Sequence, residues 1–246
     1  MGLFNQKETY PELDKLYVSV IIAAAGKGTR MNMDINKQYI NIGGLPVLAS
    51  TLLKFDRCRL VDEIILVVNE QDIIFCKNKI VDEYGIEKVK VITAGGNERQ
   101  ESVQRGLAEL HRDTGIVLVH DGARPFVEED IIIENIAAAF QYGAACTAVP
   151  VKDTVKASDE NGFVRETLDR SALWLIQTPQ AFRYDIIADA YEKAMSEGYV
   201  GTDDAILAER AGYKVRLVMG SYSNIKITTR EDLVIGEAIA RMDMPY

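Results

Sequence analysis

Cysteine, histidine and tryptophan are all scarce in this sequence, which has three cysteines, two histidines and one tryptophan among 246 residues. Cys58, Cys76 and Cys146 lie far apart and form no Cys-x-x-Cys pair. This spacing argues against a disulfide framework and against a zinc site. We therefore expect a reduced, cytoplasmic protein.

Long apolar runs and an excess of positive charge are missing as well. The longest apolar run is too short to span a bilayer, and the N-terminus has no apolar signal core. Lysine and arginine number 28 against 37 aspartate and glutamate residues, which gives a net charge of −9. An acidic body argues against nucleic-acid and membrane partners, although a few cations can still converge on a small anion.

Apolar runs that alternate with helical patterns are the main feature of the chain. Strands are predicted at residues 18–23, 63–68, 89–93, 115–120, 144–150 and 214–219, and helices at 46–57, 70–84, 98–111, 129–142, 184–197, 203–211 and 230–242. Strands that are apolar throughout and separated by helices indicate a mostly parallel sheet with helices on both faces. We therefore predict one Rossmann-like α/β domain over residues 17–246, preceded by a loose N-terminal arm at 1–16.

Residues 151–172 interrupt this alternation of apolar strands and helices, because they are predicted to form two short polar strands. The strands are joined by Asp159-Glu160-Asn161-Gly162, and Asn-Gly is a strong signal for a tight hairpin turn. Because such a hairpin has little apolar surface of its own, we expect it to project from the domain as an arm.

A loop with two glycines, Ala-Ala-Ala-Gly-Lys-Gly-Thr-Arg at 23–30, follows the first predicted strand. It does not match the phosphate loop of ATPases, because Lys27 precedes Gly28 instead of following it. It does not match the dinucleotide fingerprint either, since Met31 replaces the third glycine and Leu45-Pro46 stands where a ribose-binding acid is expected. These mismatches disfavour an NAD-dependent oxidoreductase.

Two cations follow these glycines, Arg30 and, seven residues later, Lys37. Glycine amides let a phosphate approach the backbone closely, and the two cations could neutralise it. The alternative is a turn that needs glycine only for its shape, followed by ordinary surface side chains. The turn and the cation spacing resemble the signature of nucleotidyltransferases that join a nucleoside triphosphate to a phosphorylated sugar or alcohol.

Polar turns also follow two other predicted strands. Gly95-Gly96 would let the backbone approach a ligand, and Asn97 is predicted to cap the following helix. Asp121 lies at the carboxyl end of its strand, where open α/β sheets bind ligands. It could hold Mg²⁺, or it could be a plain turn residue before Gly122.

Three more residues near these turns need an interpretation. Arg124 could bind a ligand or form a surface ion pair, and we interpret the strand-end His120 as structural. Lys226 lies between Ile225 and Ile227 in a strand-like alternation. Its side chain should therefore point away from theirs, towards solvent or a site.

Five further segments accompany the glycine loop in a fixed order: His-Asp-Gly-Ala-Arg-Pro-Phe, Pro-Val-Lys-Asp-Thr, Asp-Arg-Ser-Ala-Leu-Trp-Leu-Ile-Gln-Thr-Pro-Gln-Ala-Phe, Gly-Thr-Asp-Asp-Ala and Asn-Ile-Lys-Ile-Thr-Thr. Together they resemble the 2-C-methyl-D-erythritol 4-phosphate cytidylyltransferases of non-mevalonate isoprenoid biosynthesis, over nearly all of residues 18–242. Ribitol-5-phosphate cytidylyltransferases share several of these segments, but the stretch Leu-Asp-Arg-Ser-Ala-Leu-Trp favours the methylerythritol enzymes. The sequence departs from many members at Asn36, where a proline is usual, and at Asn97, where an aspartate is usual.

The resemblance implies an enzyme that uses CTP as substrate and Mg²⁺ as cofactor, with three groups of site residues. The catalytic group is Arg30, Lys37 and Lys226 around the α-phosphate, with Asp121 near the metal or the incoming phosphate. The nucleotide-binding group is Ala24, Ala25, Gly26, Gly28, Gly96, Asn97, Ser102 and Gly122. The substrate-binding group is Arg124, Thr154, Arg170 and Thr178. In the family the hairpin crosses to a partner subunit, so residues 151–172 are expected to form a homodimer and to place Thr154 and Arg170 in the neighbour's site.

The chemistry of such a transfer fits the scarcity of histidine. The nucleophile would be a phosphate monoester oxygen, which is already anionic at neutral pH and needs no general base. What the reaction needs is positive charge that brings two polyanions together. A nucleotide-binding regulator without turnover remains the alternative from a different class.

Overall fold

The structure, a computed structural model, describes residues 12–26 and 37–242, and for Lys37 the backbone alone. The predictions made for Arg30 and Gly28, and for the side chain of Lys37, lie outside the described residues. Within the described part, the strands in chain order are β1 (Tyr17–Ala23), β2 (Asn41–Ile42), β3 (Leu45–Pro46), β4 (Glu63–Val68), β5 (Val89–Ala94), β6 (Thr114–Asp121), β7 (Ala144–Pro150), β8 (Lys156–Ser158), β9 (Val164–Thr167), β10 (Trp174–Arg183) and β11 (Arg216–Met219).

Seven of these strands form one sheet in the order β11-β7-β10-β6-β1-β4-β5. Neighbouring strands are parallel except at β10, which runs antiparallel to both β6 and β7. The prediction of a mostly parallel sheet is therefore confirmed.

The strand β10 is the strand of the main sheet that the sequence prediction missed, and the two-residue strands β2 and β3 were not predicted either. β10 contains Pro179, and proline within a run argues against a central strand because it cannot donate to the ladder. The pairing of β10 with β7 is interrupted between Ile176 and Gln180, which brackets the proline. The irregularity therefore accommodates a residue that regular central pairing would exclude.

The helices are α1 (Val47–Arg57), α2 (Ile73–Cys76), α3 (Arg99–Ala108), α4 (Glu129–Tyr142), α5 (Tyr184–Ser196), α6 (Asp204–Arg210) and α7 (Arg230–Met242). The helical stretch predicted at 70–84 is confirmed over residues 70–82, but it is not one regular α-helix. That segment consists of a 3-10 turn at Glu70–Asp72, the one-turn α2, and a π-helical turn at Lys77–Asp82.

Helices cover both faces of the sheet, as predicted. On β1, Val20 and Ile22 pack in one apolar cluster with Phe55 of α1, whereas Ile21 between them packs in another with Val103 of α3. Alternate residues of a strand face opposite sides. Both faces of β1 are therefore buried, which explains why it is almost entirely apolar. Its buried polar exception, Ser19, is hydrogen-bonded to the side chains of Glu63 and Thr114.

The N-terminal arm predicted at residues 1–16 is described from Glu12 onwards. Leu13–Lys15 form a 3-10 turn, and the Leu13 side chain is buried in the core cluster on one face of the sheet. The end of the predicted arm is thus packed on the domain, because a leucine there has apolar surface to bury.

The predicted hairpin is confirmed as a separate two-stranded sheet of β8 and β9. Gly162 has φ +83°, which glycine adopts readily and other residues rarely do. All four residues of β9 are exposed, and Phe163 beside it is 73% exposed. The hairpin therefore presents an apolar side chain that nothing else in the described chain covers.

Candidate active site

The carboxyl ends of the parallel strands bring the predicted turns to one edge of the sheet. Ala23, the last residue of β1, pairs with Asp121, the last residue of β6. The Gly122 N–H donates to the Ala23 carbonyl at 2.9 Å, which holds the two departing loops together. Ligands of open α/β sheets bind at this edge.

A carboxylate surrounded by three cations lies at this edge. The Nζ of Lys226 is 2.7 Å from one oxygen of Asp121, and the Nε of Arg99 is 3.1 Å from the other. The Nε of Arg124 is 3.7 Å from Asp121, too far for a hydrogen bond. A cavity of about 310 Å³ opens beside this cluster, lined by Arg99, Asp121, Arg124, Ile176, Gln177, Thr178, Gln180, Thr202, Asp203 and Lys226.

The charge state of Asp121 follows from these neighbours. Burial alone would raise the pKa of its carboxyl group, but Arg99, Lys226 and Arg124 outweigh that effect and hold the pKa well below its usual range. The carboxylate is therefore ionised at neutral pH, and the cluster of Asp121 with its three cations carries a net positive charge.

Hydrogen bonds made by residues on either side of Lys226 hold this lysine in the cavity wall. The amide of Asn224, which is buried, donates to the Thr178 carbonyl at 2.9 Å, and the Ile227 N–H donates to the Ala123 carbonyl at 2.8 Å. The predicted direction of the Lys226 side chain is confirmed, because Ile227 is buried while Lys226 reaches Asp121. The strand-like conformation expected there is wrong, since residues 224–228 belong to no strand.

His120 is fully buried behind the cluster, in agreement with its interpretation as structural. One ring nitrogen, Nε2, is 3.1 Å from the Arg124 carbonyl, and the other, Nδ1, is 3.1 Å from the Thr178 hydroxyl. A carbonyl only accepts, so Nε2 carries the proton and Nδ1 accepts from Thr178. That hydroxyl also accepts the Asp121 N–H at 3.1 Å, so Thr178 connects His120 to the site.

Burial lowers the pKa of His120 from 6.5 to about 3, which predicts a stability that depends on pH. Because the folded-state pKa lies below the unfolded one, the unfolded chain binds the proton more tightly, and the free energy of unfolding falls as pH falls below 6.5. We expect this residue to contribute a loss of about 1.4 kcal/mol per pH unit between pH 6 and pH 5. Urea unfolding at several pH values measures this slope.

The other histidine provides the control for this experiment. His111→Gln is the matched control, because it removes the only other histidine of the chain, whose side chain is only half-buried. His120→Gln, whose amide can both donate and accept, should reduce the slope. Equal slopes for His120→Gln and the wild type would contradict the prediction.

The predicted nucleotide-binding turns also meet at this edge. Gly95 lies so close to Ala25 that a Cβ atom on it would be 2.3 Å from the Ala25 Cβ, which is why glycine is required. The Gly96 N–H donates to the Ser102 hydroxyl at 3.1 Å. The loops after β1 and β5 are thereby fixed against each other and against α3.

The prediction that Asn97 caps α3 is wrong. Glu98 is the N-cap residue, and the Asn97 N–H donates instead to the carboxylate of Glu101 at 2.8 Å. A glutamate at the third helical position often reaches back to the residues before the helix in this way. The cap therefore lies at Glu98, one residue later than predicted, and α3 begins at Arg99.

Thr154 and Arg170 are not brought to the cavity of their own chain. Both are exposed at the base of the hairpin, where Arg170 donates to the Lys152 carbonyl at 2.8 Å. Several cavity residues, in contrast, were not predicted: Arg99, Gln177, Gln180, Thr202 and Asp203. Four of them lie in the segments that resemble the family, and Arg99 lies two residues after Asn97. No local pattern indicates which side chains of these segments face the cavity.

Comparison with known proteins identifies the family to which this site belongs. The family model described as 2-C-methyl-D-erythritol 4-phosphate cytidylyltransferase matches residues 18–242. The chain belongs to this family. The matched range includes the hairpin, β10 and the segment that contains Lys226.

Two relatives and one solved structure illustrate the similarity to the cytidylyltransferase family. The 2-C-methyl-D-erythritol 4-phosphate cytidylyltransferase of Caldanaerobacter subterraneus is 48% identical over 91% of this chain and 99% of its own length. That of Geobacter metallireducens is 49% identical over 93% of this chain and 99% of its own. A crystal structure of 4-diphosphocytidyl-2C-methyl-D-erythritol synthase from Anaerococcus prevotii has a TM-score of 0.84 at 38% identity, covering 95% of this chain and all of that one.

Proposed function

We propose that this cytidylyltransferase transfers CMP from CTP to 2-C-methyl-D-erythritol 4-phosphate in isoprenoid biosynthesis. The products are 4-diphosphocytidyl-2-C-methyl-D-erythritol and pyrophosphate. The observation that carries the proposal is the cationic cluster around Asp121, which lines an open cavity at the carboxyl edge of the sheet. The relatives named above for this substrate match 91% and 93% of this chain.

The chain's own residues would act mainly by positioning and by charge. A phosphate oxygen of methylerythritol phosphate attacks the α-phosphorus of CTP, the bond to the β-phosphate oxygen breaks, and pyrophosphate leaves. Lys226, with Arg30 and Lys37 from the glycine loop, stabilises the charge on the transferring phosphoryl group. Arg124, which lines the cavity, orients the incoming phosphate. Thr178 also lines the cavity, and because its hydroxyl donates to His120 and accepts the Asp121 N–H, it acts by holding the end of β6 in place.

Mg²⁺ is proposed as the cofactor, with Asp121 as its protein ligand. Magnesium sites of this kind use one or two carboxylates together with substrate phosphates, and two ionisable carboxylates, Asp121 and Asp203, line the cavity. When bound, the ion would neutralise part of the triphosphate charge. Both oxygens of Asp121 are paired with cations here, so ligation requires Lys226 to turn to a phosphate.

The loops after β1, β5 and β6 are proposed to hold the cytosine and the ribose. The residues concerned are Ala24, Ala25, Gly26, Gly28, Gly96, Asn97, Ser102 and Gly122. The close approach of the first two loops supports this, and so does the open space beside Gly26, where a Cβ atom would meet nothing within 4 Å among the described residues. Both features allow a flat base to approach the backbone.

A homodimer through residues 151–172 completes the proposal. Phe163 and Val164 on the hairpin are 73% and 62% exposed, and Leu175 and Ile176 near the cavity are 55% and 44% exposed. Exposed apolar patches commonly mark contact surfaces, and a two-fold dimer would cover both sets. Thr154 and Arg170 would then reach the substrate phosphate in the partner's cavity.

A cytoplasmic location is proposed as well. The three cysteines are buried free thiols, a state that a reducing compartment maintains. Among the described residues, no helix has the length and the apolar composition needed to cross a bilayer.

A pyrophosphate-release assay tests the proposed reaction. We expect release from CTP with methylerythritol phosphate and Mg²⁺, little release with ATP or GTP, and loss of activity when the metal is chelated. Release at least as fast with ribitol 5-phosphate would overturn the substrate assignment. CTP binding without any release would instead favour a regulator without turnover.

A further inference from the structure

A second layer of buried charge lies behind Asp121. Arg99, the first residue of α3, contacts two carboxylates, with its Nε 3.1 Å from Asp121 and its Nη2 2.8 Å from Asp204. The Tyr191 hydroxyl donates to the other oxygen of Asp204 at 2.6 Å. Asp204 and Tyr191 are 1% and 3% exposed, so these two residues are closed to solvent, whereas Arg99 lines the cavity and its side chain is 28% exposed.

The position of Asp204 is fixed by the sheet. Its N–H donates to the side-chain oxygen of Gln180 at 3.1 Å, and Gln180 is fully buried on β10. Tyr191 belongs to α5 and Arg99 to α3. Asp204 is the first residue of α6. The contacts Tyr191–Asp204–Arg99 therefore join three helices and a central strand to the end of β6, where Asp121 lies.

The two close partners of Asp121 differ in how firmly they are held. Lys226 has a single carboxylate partner among the described residues and a side chain that is 39% exposed, so an arriving phosphate can attract it. Arg99 lies between two carboxylates, which hold it from both sides. A guanidinium group stays charged throughout the pH range in which proteins are folded, so the charge of Arg99 is permanent.

We propose that Arg99 is a positioning residue that acts through Asp121. Held by Asp204 and Tyr191, it keeps the Asp121 carboxylate paired and in place while Lys226 moves from Asp121 to a substrate phosphate. Without Arg99, that move would leave the buried carboxylate without a close protein partner to orient it towards the metal, and an unpaired buried charge is strongly unfavourable. The inference rests on the proposed function, because it takes Lys226 to be the group that meets the phosphate.

A double-mutant cycle on kcat for pyrophosphate release tests this role. Arg99→Gln should lower kcat by about 10²-fold, as small displacements in active sites do, with a much smaller change in KM for CTP. Asp121→Asn should also lower kcat. If Arg99 acts through Asp121, the double variant should be no slower than the slower single variant, because coupled residues are not additive.

Two further variants separate positioning from simple stability. Arg99→Lys keeps the charge but cannot bridge two carboxylates, so it should recover only part of kcat, and it also serves if Arg99→Gln fails to fold. Arg105→Gln lies on the same helix, where Arg105 donates to the Ala94 carbonyl at 3.3 Å, and it should leave kcat unchanged.

The outcomes distinguish this inference from the proposed reaction. Losses that multiply in the double variant, full activity in Arg99→Gln, or a change confined to KM would overturn the role of Arg99 although the wild type is active. Absence of pyrophosphate release from the wild type would instead overturn the proposed reaction itself.

Discussion

Lys226→Ala should lower kcat for pyrophosphate release by about 10²- to 10³-fold, equivalent to about 2.7–4 kcal/mol of transition-state stabilisation. The reason is that its ammonium group, which is held at the cavity by the hydrogen bonds of Asn224 and Ile227, would meet the phosphoryl group during transfer. The side chain itself is not part of the apolar core. The variant should therefore stay folded.

Lys214→Ala is the matched control, because Lys214 is an exposed lysine just before β11. It should leave both kcat and the thermal midpoint unchanged. Near-wild-type turnover in Lys226→Ala would mean that the lysine serves only to pair with Asp121. A fall in the thermal midpoint in step with the fall in activity would mean that its role is structural.

Mixing two inactive variants should restore activity if the hairpin crosses between subunits. Lys226→Ala changes the cavity of its own chain, whereas Arg170→Ala changes the exposed base of the hairpin. When the two are unfolded, mixed equally and refolded, random pairing gives about half hybrids, and one site of each hybrid has both residues intact. Turnover should then recover to about a quarter of the wild-type value by this symmetry count.

A second mixture shows whether the recovery has this cause. Lys226→Ala mixed with Asp121→Asn should recover nothing, because both residues line the same cavity of one chain and every hybrid site lacks one of them. No recovery in the first mixture would exclude an exchanged hairpin. Recovery in both mixtures would point to an artefact of refolding.

Most of the fold was predictable because burial leaves a local trace in the sequence. β4 is buried at all six positions and is apolar at every one except Glu63, and α4 repeats apolar residues at helical spacing. β10 left no such trace, since Pro179 and its polar neighbours are typical of a loop. Only the ladders with β6 and β7 make that segment a strand.

The residues of the candidate site likewise fall into those that the sequence predicted and those that it did not. Asp121, Arg124 and Lys226 were predicted from family segments, and the structure brings them together with Thr178. Arg99 could not be predicted, because an arginine at the start of a helix acquires a role only when Asp121 and Asp204, from distant parts of the chain, fold against it. A sequence pattern reflects interactions between residues that are close together in the chain, but not contacts between residues that are far apart in it.

The place of β10 in the sheet has a consequence for synthesis on the ribosome. β1, β4, β5 and β6 emerge first, yet β6 lies beside β10, not β7, so its outer edge has no partner until residue 183 has been made. Both strands that pair with β7, namely β10 and β11, are also synthesised after it. A chain that ends before Trp174 would carry three open, apolar strand edges, one on β6 and two on β7, a form that favours aggregation. Premature termination there should yield insoluble product and not a fragment with partial activity.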